Sequence, residues 1–228
     1  MNPENIENER RRSRPVEKPK KMALVKRNKA KVGIILVIIA IVIIAALAVI
    51  YTRPAKNRIA VIDTTMGTIK VELYEDKAPI TTANFIKLVN DGFYSNLIFH
   101  RVANLDPSAP TTHIIQAGGF YANSTYKPSP YDPINLEITD LVHDDGAIAM
   151  ARTTDPNSAT SQFYICDGPQ HSLDENYAVF GKVIDDASMT VVRAIADVQT
   201  TTKVVMGQSM SDWPQNDITI RSITIQKQ

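Results

Sequence analysis

From residue 32 to residue 51 the chain runs for 20 positions without a charge, through Ile, Val, Ala and Leu almost alone. At about 1.5 Å per helical residue such a run reaches about 30 Å, the hydrocarbon thickness of a bilayer. A lone span in lipid must be helical, because its backbone groups have no other partners there. Beyond it the pattern changes to short alternating pieces. Residues 59–63 and 68–74 alternate with period two around Met66-Gly67 and predict a hairpin. Pro79 opens a predicted helix in which Phe85, Leu88 and Val89 share a face, and Asn90-Asp91-Gly92 supplies its left-handed stop. Met189, Val192, Ile195 and Ala196 recur at helical spacing and predict a second helix over 188–198. Short strands are predicted at 98–102, 114–116, 134–136, 147–150, 163–166, 179–183 and 218–225, with turn signals around Trp213-Pro214. About eight strands and two helices, in one domain over 59–228, make a mainly β fold. Closing the sheet into an antiparallel barrel removes its exposed edges and lets the helices cap the ends, although the pattern alone fits a sandwich as well.

Charge sorts the two sides of the apolar run. Residues 1–31 carry 11 Lys or Arg against four Glu, whereas only Arg53, Lys56 and Arg58 follow the run closely. The positive-inside bias therefore puts the N-terminus in the cytoplasm and everything after residue 51 outside it. The basic tail has a disordered composition, residues 32–51 form the membrane span and 52–58 a linker in which Pro54 stops the helix. A cleaved signal peptide is the rival, since Ala46-Leu47-Ala48 has the small-x-small form. The run is longer than a usual signal core, and its leader is long. The residues outside the tail include 14 basic and 20 acidic side chains. An acidic domain of this kind excludes nucleic acid as its ligand, because phosphate binding needs a basic surface. Cys166 is the single cysteine, so no disulfide closes within the chain.

One stretch carries polar residues without an evident structural reason. In residues 146–165, GAIAMARTTDPNSATSQFYI, two apolar strand-like pieces flank ordinary turn chemistry, but Ser161-Gln162 interrupts the second piece. An outward-facing glutamine on an antiparallel strand is the simplest account. The order of motifs around it says more: Phe99-His100-Arg101-Val102, then Ile114-Ile115-Gln116-Ala117-Gly118-Gly119-Phe120, then this run, then Leu173-Asp174 and Tyr177-Ala178-Val179-Phe180-Gly181-Lys182-Val183. Taken in this order over residues 59–225, they resemble the successive landmarks of the cyclophilin-type peptidyl-prolyl isomerases. The wording IAMART, SATSQF and YAVFGKV is closer to the bacterial and archaeal branch.

The resemblance implies the closed barrel with two capping helices, and an enzyme that rotates Xaa-Pro bonds without cofactor or metal. It implies Arg101 as the catalytic residue, a guanidinium beside the imide nitrogen. Gln116 matches a glutamine that binds substrate backbone and orients that arginine. Ala151 and Arg152 match positions whose backbone pairs with the extended peptide, and Gln162 matches a further groove position. Ile114, Tyr164 and Leu173 match the apolar pocket for the proline ring, with His113 where a phenylalanine is usual and Tyr177 where many eukaryotic members have histidine. The implied partners are Xaa-Pro segments of unfolded or exported proteins, met at the outer face of the membrane that residues 32–51 enter.

Two departures from the family pattern are visible. Residues 103–112 form a longer connection before His113 than the family usually has. Should it displace His113, the groove would serve as a proline-peptide-binding module or chaperone with little turnover. Ser172 stands where cyclosporin-binding members have tryptophan, so an indole N–H donor is missing and weak cyclosporin affinity is expected. The remaining motifs are bland. The four histidines and Cys166 lack metal-ligand spacing, Asp144-Asp145 and Asp185-Asp186 sit in turn contexts, and Gly118-Gly119 reads as the family's turn, not as a phosphate loop.

Overall fold

Ile59–Thr64 (β1) and Gly67–Leu73 (β2) pair antiparallel in the expected hairpin. The computed structural model of the chain describes residues 32, 35–44, 57–106, 108–109 and 112–227. Eight strands close into a barrel in the order β1-β10-β3-β4-β6-β5-β7-β2, every neighbour antiparallel. The others are β3 (Leu97–Ala103), β4 (His113–Tyr121), β5 (Ala147–Met150), β6 (Phe163–Asp167), β7 (Val179–Val183) and β10 (Ile218–Gln226). Barrel, not sandwich, is therefore the answer to the ambiguity in the pattern.

The core follows from strand alternation. Ile62, Ile69, Val71, Phe99, Ile115, Phe163, Ile165 and Ile220 point inward and are buried. Helix α1 (Pro79–Asn90) adds Phe85, Leu88 and Val89, and α2 (Asp186–Ala196) adds Met189, Val192, Ile195 and Ala196. Phe85 meets Phe163 edge to face at 5.5 Å, which pins α1 to the wall whose outer side carries the groove. Gly92 at φ +67° ends α1: its N–H bonds to Val89 and that of Phe93 to Leu88, a Schellman stop. The second helix starts two residues before the predicted point, because Asp185 caps it by accepting the N–H of Ser188 at 2.8 Å.

Three predicted elements differ. Residues 134–136 form no strand: Ile134 makes one isolated bridge to Ala159, and Leu136 donates its N–H to the Asn157 side chain. Pro133 has no N–H, so a ladder cannot extend there. The Gly118-Gly119 pair lies inside β4 and not in a turn. At Gly118, φ is +94° and a Cβ would meet the Ser161 carbonyl at 2.5 Å, so this glycine serves close strand approach. Finally, Thr200–Val205 (β8) and Gln208–Pro214 (β9) form a separate two-stranded sheet through Met206-Gly207, both at positive φ. The turn expected at Trp213-Pro214 is the end of β9, held in place because Trp213 buries its ring against Phe120 and His100.

The chain separates into two units, residues 1–54 and 55–228. In the first, residues 35–44 are helical with exposed side chains. Among the described residues no helix is long and apolar enough to cross a membrane. The expected tail 1–31, residues 33–34 and 45–51 of the expected span and residues 52–56 of the linker lie outside the described residues.

Candidate active site

A bulge in β3 aims the arginine. Phe99 pairs with Ala117 and Arg101 with Gln116, so His100 is an extra residue that shifts the phase of the strand. Before it, Leu97 and Phe99 face the core; after it, Val102 does, and Arg101 and Ala103 face outward. His100, buried under the β8–β9 hairpin, has its pKa pushed down to about 4, first by burial and then by the Arg101 charge. It is a neutral packing residue.

On the same outer face β4 presents Ile114 and Gln116, and β6 presents Tyr164, while their neighbours Ile115, Phe163 and Ile165 point into the barrel. These side chains, with Arg101, Leu105, Ala151, Arg152, Leu173 and Tyr177, line a cavity of about 310 Å³. Eight of the ten expected site residues therefore converge. Gln162 lines an adjoining cavity of about 240 Å³ that shares Gln116, Ala151 and Arg152, and its Oε1 accepts from Gln116 Nε2 at 2.9 Å.

His113 does not join them. The strand period puts it in phase with inward Ile115, at the end of β4 opposite Asp167, whose carboxylate is 4.0 Å from Nδ1. Leu105, from the long connection, lines the cavity instead. That connection is held by its own hydrogen bonds: Asn104 Nδ2 donates to the Ala109 carbonyl at 2.9 Å, and Asp106 accepts from Ser108 N–H at 2.9 Å. Leu105 is thereby packed against the apolar groove cluster that includes Ile114 and Tyr164. Nothing in the sequence marked it except its being an isolated apolar residue in a polar loop.

Two further expectations change. The residue held against Arg101 is Asp212 of β9, whose Oδ2 lies 3.6 Å from Nε, whereas the Gln116 amide is given to Gln162. The Ala151 N–H is donated to the Gln162 carbonyl at 2.9 Å, which leaves the Ala151 carbonyl for a peptide. Arg152 is fixed by Nε donation to the Asn176 carbonyl at 2.9 Å, and its guanidinium lies 4.6 Å above the Tyr177 ring.

Beneath the apolar floor runs a polar chain that the motifs do not announce. Tyr164 Oη lies 2.9 Å from His143 Nε2, His143 Nδ1 lies 2.7 Å from Asp174 Oδ1, and Asp174 Oδ2 lies 3.0 Å from His171 Nδ1. Burial works against ionisation of Asp174, but the His143 N–H, the His143 ring and His171 outweigh it and hold this carboxyl below its usual range. An ionised Asp174 fixes the His143 proton on Nδ1, so Nε2 accepts from the Tyr164 hydroxyl. Burial pushes the Tyr164 pKa up and the His143 pKa down, consistent with a neutral pair. Among the described residues no group of three or more His, Cys, Asp or Glu side chains could hold a metal ion.

Residues 59–225 match the family described as cyclophilin type peptidyl-prolyl cis-trans isomerase/CLD. A peptidyl-prolyl cis-trans isomerase of Acinetobacter baylyi is 41% identical over 151 residues, covering 64% of this chain and 76% of that protein. Peptidyl-prolyl cis-trans isomerase B of Escherichia coli K12 is 36% identical over 173 residues, 71% of this chain and 96% of its own length. A cyclophilin type isomerase of Cryptosporidium parvum, crystallised in the presence of the dipeptide Ala-Pro, superposes with a TM-score of 0.59 at 26% identity, covering 75% of this chain and 99% of that one.

Proposed function

The chain belongs to the cyclophilin-type peptidyl-prolyl cis-trans isomerases, and from that premise we propose that the groove beside Arg101 turns Xaa-Pro bonds of exported polypeptides at the outer face of a membrane. Rotation about the imide bond faces a barrier of about 18–20 kcal/mol, because the nitrogen lone pair is conjugated with the carbonyl. In the twisted transition state that lone pair is localised on nitrogen, and a cation placed beside it stabilises the twisted state more than either planar one. Two guanidiniums line the cavity; Arg152 is tied to the Asn176 carbonyl and the Tyr177 ring, so Arg101 takes this role, and no covalent bond forms or breaks.

The other groove residues divide the remaining work. Ile114, Tyr164, Leu173 and Leu105 hold the proline ring out of water, so the rotating part is the acyl side of the bond. Gln116, Gln162, Arg152 and the Ala151 carbonyl hold the peptide backbone on either side. The observation that carries this reading is the convergence of Arg101 with Ile114, Tyr164 and Leu173 on one cavity of about 310 Å³. The Cryptosporidium parvum relative, crystallised with Ala-Pro present, supports an Xaa-Pro segment as the ligand. Chain-exchange NMR tests it: with the full chain at substoichiometric level, the cis and trans signals of an Ala-Pro peptide broaden through catalysed exchange. Peptide binding without such broadening would reduce the groove to a proline-peptide holder.

The membrane side of the proposal rests on the uncharged run 32–51 and the 11 basic residues before it. Protease added to intact cells is expected to remove the domain beyond residue 57 and spare the tail. Protection of that domain would place it on the other side.

A further inference from the structure

Arg101 is useful as a catalyst only if its guanidinium waits in the right place, and the side-chain hydrogen bond of Gln116, its partner across the strands, runs from Nε2 to Gln162 Oε1. The Asp212 carboxylate takes that position, 3.6 Å from Arg101 Nε. Three features of the β8–β9 hairpin put it there. Trp213, next in sequence, is buried and anchors the hairpin on β4 and β3 by packing on Phe120 and His100 at ring separations of 5.5 and 5.9 Å. The ladder then slips: Thr201 pairs with Trp213 and Lys203 with Met210, so Ser211 and Asp212 together oppose Thr202. Asp212 itself sits at φ +63°, a left-handed conformation that Asp tolerates better than most side chains, and Ser211 Oγ donates to its Oδ2 at 3.1 Å.

Resting on the assignment of Arg101 above, we infer that Asp212 is the positioning residue for the catalytic guanidinium. Both side chains are about one-third exposed, 35% and 37%, so the pair is too solvated to add much to stability. Its effect falls on geometry: a carboxylate on the Nε edge limits rotation of the guanidinium and leaves the Nη edge for the imide nitrogen. Placing a charge before it is needed is a transition-state effect, so it acts on kcat and not on peptide affinity. The hairpin is thus part of the active site although it contributes no lining residue to the cavity.

The test compares the full chain with Asp212→Ala, Asp212→Asn, Arg101→Ala and Arg101→Ala/Asp212→Ala on an Ala-Pro peptide, measuring kcat and KM separately. Asp212→Ala is expected to lower kcat about three- to ten-fold with KM within about two-fold. Asparagine keeps an oxygen of the same reach on the Nε edge and is expected to restore at least half of kcat. In the Arg101→Ala background removal of Asp212 is expected to change nothing further. Trp213 is the only tryptophan, so its emission reports whether the hairpin stays docked. A wild-type kcat in Asp212→Ala, an equal loss in both backgrounds, or a loss in both Asp212 variants with shifted Trp213 emission overturns the inference. A wild-type kcat in Arg101→Ala would instead overturn the assignment of Arg101 itself.

Discussion

The Tyr164 hydroxyl donates to Nε2 of His143, a fully buried histidine 2.9 Å away whose other nitrogen is held by Asp174. One ring thus has two roles: its face forms the floor of the groove and its oxygen satisfies the layer below. Tyr164→Phe keeps the ring but leaves a buried acceptor on His143 without a donor. The expected cost is about 1–3 kcal/mol of stability, read as a lower urea midpoint with unchanged slope. An unchanged midpoint would mean that the contact carries no weight.

Acid is expected to weaken the fold well before the carboxylates titrate. His100 has its pKa pushed to about 4 by burial, against an ordinary value near 6.5, and burial shifts His143 in the same direction. The unfolded chain therefore binds more protons than the folded one below about pH 6.5. Stability from these histidines is full above that pH and is lost as pH falls toward 4; the His100 share is about 3 kcal/mol. Urea midpoints measured from pH 7 to pH 4 should fall, and His100→Gln should flatten the decline. An equally steep decline in that variant would remove His100 as its cause.

The family resemblance implies His113 in the proline pocket, whereas Leu105 and not His113 lines the cavity beside Arg101. Leu105→Ala removes apolar wall from the cavity and is expected to lower kcat/KM about five- to thirty-fold, equivalent to about 1–2 kcal/mol. His113→Ala should leave kcat/KM unchanged, since its ring faces Asp167 and not the groove. The reverse pattern would show that the loop opens in solution and restores His113 to the pocket.

Much of the fold was legible because period-two alternation is a strong signal where one strand face is buried. The hairpin β1–β2 and the alternation of Phe163, Tyr164 and Ile165 follow from it directly, and both helices follow from apolar residues three and four positions apart. The β8–β9 sheet was not legible: its strands are largely exposed, and its place is set by one tryptophan packing on a distant strand. For the same reason Asp212 could not be found from sequence, being 111 positions from Arg101 and delivered by a ladder slip. Of the residues the motifs name, Arg101, Ile114, Gln116 and Tyr164 lie on ladder positions whose phase brings them to one cavity, whereas Ala151, Arg152, Leu173 and Tyr177 reach it from loops and a single turn. His113 does not line that cavity, and Leu105 from the long connection 103–112 does.

Ser172 is exposed beside Leu173, where a tryptophan in cyclosporin-binding relatives would supply an N–H donor and an aromatic face. Cyclosporin is expected to bind weakly, and Ser172→Trp to tighten it at least about tenfold, or about 1.4 kcal/mol, by calorimetry. Tight binding to the unaltered chain would show that other groove residues suffice.

The central claim is that the Arg101 charge stabilises the twisted imide. Its most direct test is the rate of cis-to-trans isomerisation of an Ala-Pro peptide by the full chain and by Arg101→Ala, each corrected for the uncatalysed rate. The account predicts clear acceleration by the former and a loss of kcat/KM of at least about 100-fold, or about 2.7 kcal/mol, in the latter. Equal rates for the two proteins would contradict it.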